Sequence, residues 1–173
     1  MTLRSILLHP DPRLKKVAEV IERPTPDLAA LAADMLQTMY EAPGIGLAAP
    51  QVGVPKRLIV MDCEKADDAV PRPMVLLNPR VVWSSDDRAI YEEGCLSIPE
   101  QYGDVERPAE VRVVWMALDG SMQDETFGGL WATCVQHEID HLDGKLFIDY
   151  LKPLRRQMIT RRMEKLKRER ARA

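Results

Sequence analysis

The 173-residue sequence predicts an α+β fold: antiparallel β-sheets around a central buried helix carrying His-Glu-x-x-His, with a further helix at the C-terminus. Three observations support this. Helical periodicity is confined to three well-separated stretches. Between them lie short apolar runs bounded by turn formers. Those runs follow one another without intervening helices, which favours antiparallel pairing over β-α-β crossovers.

The first helix is read in "PTPDLAALAADMLQTMYEAPG". Thr25 or Asp27 supplies its cap, Leu28, Leu31, Met35 and Met39 recur at helical spacing, and Pro43-Gly44 ends it. "RLIVMD", "PMVLLNP" and "VRVVWMAL" are rich in β-branched and other apolar residues and read as strands. Asp119-Gly120 marks a hairpin between "VRVVWMAL" and "SMQDETF". From Gly128 the pattern turns helical through "GGLWATCVQHEIDHL" and stops near Gly144. The last helix starts at Pro153, with Leu154, Met158, Met163 and Leu166 as a thin apolar stripe.

Apolar residues make up 46% of the chain and charged residues 29%, as expected of a soluble globular protein. The apolar run Ile6 to Leu8 is too short for a signal-peptide core, and no segment approaches membrane-spanning length. Neither a membrane partner nor an organelle-targeting extension is expected, and the default location is cytoplasmic. Three scattered cysteines, Cys63, Cys95 and Cys134, suit a reducing compartment rather than a disulfide framework. The net charge of −3 is unevenly spread: residues 152–173 hold ten Lys and Arg against two Glu, or +8. The preceding 151 residues therefore carry 14 basic and 25 acidic side chains. The division is read as a catalytic body, 1–151, and a basic helical tail, 152–173, of the same domain. Such a tail suits a polyanionic partner, although charge runs are more often simply solvated.

The chemistry concentrates in "VQHEIDHLDG", where His137 and His141 share one helical face and Glu138 stands beside the first. A catalytic metal takes three protein ligands and leaves a position open, so a third ligand is required. In H-E-x-x-H-x-x-G-x-x-H the third histidine would fall at Phe147, which excludes that pattern. His9, the only other histidine, reads as a surface or capping residue. Glu164 lies among Arg161, Arg162 and Lys165 and reads as part of a solvated helix. Asp and Glu elsewhere remain open as ligands. Cys63 and Cys134 have apolar surroundings and read as core. Cys95, in the polar stretch "YEEGCLSIPE", ranks first because thiolate and imidazole suit the same borderline metals.

Three blocks in this order, "GIGLAAPQ" (44–51), "EGCLS" (93–97) and "QHEIDH" (136–141), closely resemble those of peptide deformylases, as does much of the intervening chain. The resemblance implies metal-dependent hydrolysis of the formyl group from the formylmethionine of nascent polypeptides, with release of formate. It implies Cys95, His137 and His141 as ligands of one divalent ion, most often Fe(II), with Zn, Ni or Co able to occupy the same donors. It implies Glu138 as the acid–base residue, and the Gln51 side-chain amide and Leu96 main-chain N–H as oxyanion donors. Gly46 is implied as a main-chain partner of the peptide. Ile45, Tyr91, Leu130 and Cys134 lie in or beside the matching blocks and are candidates for the methionine pocket; ordinary core is the alternative. Glu93 is expected to back the site, paired with Arg107, or else to form a surface pair. Tyr102 departs from relatives that carry a basic residue there. The family's task at the ribosome offers ribosomal RNA as partner for the tail. Two other functions are compatible with the helix motif alone. One is a peptidase cutting internal bonds; the other is a structural metal module with Cys134 as fourth ligand.

Overall fold

The computed structural model describes all 173 residues. Seven strands and three α-helices follow in the order α1 (Pro26–Glu41), β1 (Gly46–Ala48), β2 (Leu58–Met61), β3 (Met74–Ser84), β4 (Arg88–Cys95), β5 (Ile98–Pro108), β6 (Glu110–Met116), β7 (Met122–Gly128), α2 (Gly129–Leu142) and α3 (Pro153–Arg172). Five strands form one antiparallel sheet in the order β1-β2-β3-β6-β7, while β4 and β5 pair as a separate hairpin. The α+β architecture and the C-terminal helix agree with the sequence expectation.

Helix α1 begins where Thr25 Oγ1 accepts the Leu28 N–H at 3.2 Å and Pro26 takes the first turn. It lies on one face of the five-stranded sheet, and α2 lies on the other. Strand β2 shows how the sheet separates them. Leu58 and Val60 join the cluster of α1, and Ile59 and Met61 join the cluster of α2. Alternation with period two, buried on both faces, explains why "LIVM" is a continuous apolar run. The β4–β5 hairpin flanks α2 away from the sheet, so the helix is covered on two sides.

The stripe that docks α3 keeps Met163 and Leu166 of the expected four residues but has Ile159 in place of Leu154 and Met158. Ile159 and Met163 are fully buried in a cluster with Ile98, Val105 and Phe147, with Leu166 packed alongside. Leu154 and Met158 are exposed at 71% and 40%. His9 also departs from its expected surface role. It is buried, follows the N-terminal segment held to Ser97 by the His9 N–H (2.9 Å to Ser97 O), and its Nε2 meets Thr160 Oγ1 of α3 at 2.8 Å.

Candidate active site

Helix α2 buries His137, Glu138 and His141 together, an arrangement that solvation disfavours and that ordinary packing does not require. Spacing puts the two imidazoles on the face turned to the hairpin, while Val135, Ile139 and Leu142 join the sheet cluster. Cys95 ends β4, immediately before the two-residue turn Leu96–Ser97 into β5. That turn aims the thiol at the helix.

Cys95 Sγ lies 3.4 Å from His141 Nε2, and His141 Nε2 lies 3.2 Å from His137 Nε2. The three ligand atoms all fall within 4.8 Å of one another. Around a tetrahedral ion, with Zn–N near 2.05 Å and Zn–S near 2.3 Å, two nitrogens would stand about 3.3 Å apart and a sulfur and nitrogen about 3.6 Å. The donor set fits a single divalent ion in spacing and in chemistry. A bound cation would take the place of any proton shared between the two ring nitrogens, since a histidine ligand donates an unprotonated nitrogen. Burial works to lower His137, but hydrogen bonding to Cys95 and Glu93 outweighs it and holds the ring well above its ordinary value. His141 is driven well below by burial and then by His137. Cys134 does not join this group: its Sγ faces the Ile45 carbonyl at 3.6 Å. The closed four-ligand arrangement is therefore not the one observed.

Behind His137, Nδ1 meets Glu93 Oε1 at 2.9 Å, which fixes the tautomer and leaves Nε2 facing the cluster. Glu93 is held in turn by Arg107, Nε to Oε2 at 2.7 Å and Nη2 to Oε1 at 3.0 Å, with both side chains about 5% exposed. This is a buried bidentate pair, not a surface one. Burial tends to raise the Glu93 carboxyl, but the bonds from His137 and Arg107 prevail and lower it. Phe147, where a third histidine was sought, stacks on the His137 ring with centroids 6.3 Å apart. In the sequence pattern Phe147 marks only the place of an absent ligand.

Glu138 Oε2 is buried without a hydrogen-bond partner, and burial pushes the carboxyl up to about 7. The Gln51 side chain is oriented from both ends. Its Oε1 accepts the Ala48 N–H at 2.9 Å, and its Nε2 points to Ser97 Oγ at 3.1 Å and Cys95 Sγ at 3.5 Å. Ser97 is thus a further member of the site, signalled beforehand only by its place in "EGCLS". A cavity of about 940 Å³ opens here. Ile45, Gly46, Tyr91, Leu130 and Cys134 all line it, together with Gln51, Cys95, Leu96, His137 and Glu138. His141 lies behind, fully buried.

A buried His-Glu-x-x-His helix facing a cysteine-ended hairpin, over a cavity with an apolar wall, defines a metal-dependent hydrolase. The chain belongs to the polypeptide deformylase family, whose model matches residues 3–157. It is 52% identical over 168 residues to the peptide deformylase of Bradyrhizobium diazoefficiens, covering 95% of this chain and 97% of that one. The crystal structure of a peptide deformylase from Legionella pneumophila superposes with a TM-score of 0.90 at 44% identity, covering 99% of both chains. That of Ehrlichia chaffeensis in complex with actinonin gives 0.93 at 34% identity, over 97% of this chain and 99% of that one. The enzyme is a metallohydrolase that removes the N-formyl group from nascent peptides. No helix is long and apolar enough to cross a membrane.

Proposed function

We propose that Cys95, His137 and His141 hold one divalent ion, natively Fe(II), and that hydrolysis of formylmethionyl peptides proceeds beside it. The observation that carries this reading is the convergence of the Cys95 sulfur and two Nε2 atoms at spacings suited to tetrahedral coordination. When bound, such an ion lowers the pKa of water and polarises a carbonyl oxygen. Zn, Ni and Co suit the same donors.

Glu138 supplies the proton transfers. Its unpartnered Oε2 accepts the proton of the attacking water and returns it to the departing nitrogen, so the formamide C–N bond breaks to formate and a free amine. A carboxyl raised to about 7 is matched to taking and giving a proton near neutral pH. The Gln51 amide, locked by Ala48 and Ser97, presents Nε2 to the oxyanion that develops on the formyl oxygen, alongside the Leu96 N–H. Each such donor contributes about 3 kcal/mol to the transition state. Ile45, Tyr91, Leu130 and Cys134 receive the methionine side chain, and the Gly46 main chain receives the peptide. A ligand like the actinonin bound by the Ehrlichia chaffeensis enzyme would take the same cavity.

Residues 1–151 constitute the catalytic body and 152–173 its basic tail. Exposed Arg161, Lys165, Arg168 and Arg172 on α3 support contact with ribosomal RNA near the emerging chain, in the cytoplasm. Counterion release would make that contact strongly salt-dependent.

Formate release from a formyl-Met tripeptide, by protein prepared anaerobically with Fe(II) or Ni(II), tests the assignment. Turnover by the parent and its loss in Glu138→Gln and Cys95→Ser are expected. Metal-loaded parent protein without turnover overturns it.

A further inference from the structure

The contacts behind His137 do not end at Arg107; they run outward to the surface. Arg107 uses Nε and Nη2 on Glu93 and gives Nη1 to Asp140 Oδ2 at 2.9 Å. The same Asp140 oxygen accepts the Tyr150 hydroxyl at 2.7 Å. The Tyr150 ring lies against the guanidinium, with Cζ 4.7 Å from its centroid. Asp140 stands on α2 just before His141, and Tyr150 closes the 3-10 turn Phe147–Tyr150. One short turn therefore touches the site twice. Phe147 stacks on the His137 ring, and Tyr150 engages the arginine that braces the carboxylate of the same histidine.

We propose that Asp140 and Tyr150 are positioning residues for the metal centre. This rests on the reading of His137 as a ligand. Arg107 has a long side chain, and its bidentate grip on Glu93 alone leaves the pair able to swing as a unit. The bond to Asp140 and the ring of Tyr150 add a third and a fourth point of attachment. They hold Glu93 Oε1 in line with His137 Nδ1. Asp140 also shares the single positive charge of Arg107, so Glu93 retains negative charge for the imidazole N–H. A more electron-rich imidazole is a firmer ligand.

The test uses the metal-loaded full chain. Three quantities are measured: the rate of Co(II) or Ni(II) loss to excess chelator, the Co(II) absorption spectrum, and kcat and KM on a formyl-Met tripeptide. Asp140→Asn is expected to accelerate metal loss by about tenfold, the lower end of the range for groups bonded directly to a metal-bound histidine, because it acts through Arg107 and Glu93. It should also shift the cobalt bands and lower kcat more than it raises KM. Tyr150→Phe keeps the ring but loses the hydroxyl, and moves all three readouts in the same direction by less. Loss rates and cobalt spectra indistinguishable from the parent's in both variants overturn the proposal, even if thermal stability falls. If Asp140→Asn fails to fold, Tyr150→Phe, at a half-exposed position, decides alone. Parent protein that binds no metal, or Cys95→Ser and His137→Ala that retain it as the parent does, overturns the ligand assignment and this proposal together. A parent that binds one ion, with indifferent Asp140 and Tyr150 variants, overturns this proposal alone.

Discussion

A Cβ on Gly46 would stand 2.6 Å from Glu138 Oε1 and 2.9 Å from Cys134 Sγ. Strand β1 thus runs against the Glu138 carboxylate with no room for a methyl group. Gly46 does not have a positive φ, so the need for glycine is steric rather than conformational. Gly46→Ala must displace Glu138 or the strand. A displacement of about 1 Å at a reacting group costs on the order of a hundredfold in rate. Steady-state kinetics on a formyl-Met tripeptide should show that loss in kcat/KM, with the metal still bound. Parental kcat/KM would show that Glu138 has room to move without consequence.

The Glu93–Arg107 pair makes a prediction about stability. Both side chains are about 5% exposed, so removing one leaves a buried charge without its partner. Arg107→Met should destabilise the fold by about 3–5 kcal/mol, read as a lower urea midpoint. The bidentate pair Arg112–Asp124 is a contrast, because both side chains are about half exposed. Arg112→Met should leave the midpoint close to the parental one. Equal effects of the two substitutions would contradict the assignment of burial as the cause.

Much of this could be read from the sequence, for identifiable reasons. His137, Glu138 and His141 belong to one helical turn, so local periodicity was enough to place them on one buried element. Cys95 is far away along the chain; it was reached by ranking donors and by resemblance, and the fold brings its Sγ to 3.4 Å from His141. Strands β4 and β5 carry no clear strand signal in the sequence. Their turn, Leu96–Ser97, lacks the Gly or Asn that usually signals a tight hairpin, and much of β4 is exposed, with only Glu93 fully buried. Phe147, Asp140 and Tyr150 escaped because their contacts with the site are tertiary. No spacing rule connects a turn after α2 with an arginine at the end of β5.

The tail shows the same limit on one element. Its apolar residues offer more than one stripe at helical spacing through Met163 and Leu166, and only the docked surface selects Ile159 over Leu154 and Met158. Ile159→Ala should therefore cost about 2–5 kcal/mol by removing buried methyl groups. Leu154→Ala, at a position 71% exposed, should stay within about 0.5 kcal/mol of the parent. Denaturant unfolding of the two variants checks this. A larger loss from Leu154→Ala would mean that α3 docks through its other stripe.

Alkaline pH offers a test away from the metal. The Tyr40 hydroxyl donates to Asp62 Oδ2 at 2.6 Å, linking α1 to the end of β2. Burial, and then the bond to Asp62, push Tyr40 up to about 12. Its unfolded value is about 10, so the folded state binds this proton more tightly. Tyr40 therefore stabilises the fold fully below pH about 10, and that contribution disappears as pH rises through about 12. Tyr150, also raised to about 12 by burial and Asp140, loses its contribution over the same window. Tyr40→Phe removes one of the two titrations. Thermal midpoints followed across this range should fall less steeply in the variant than in the parent. Parallel curves would show that Tyr40 ionises in the folded protein as it does in the unfolded chain, and that its bond to Asp62 does not hold the proton.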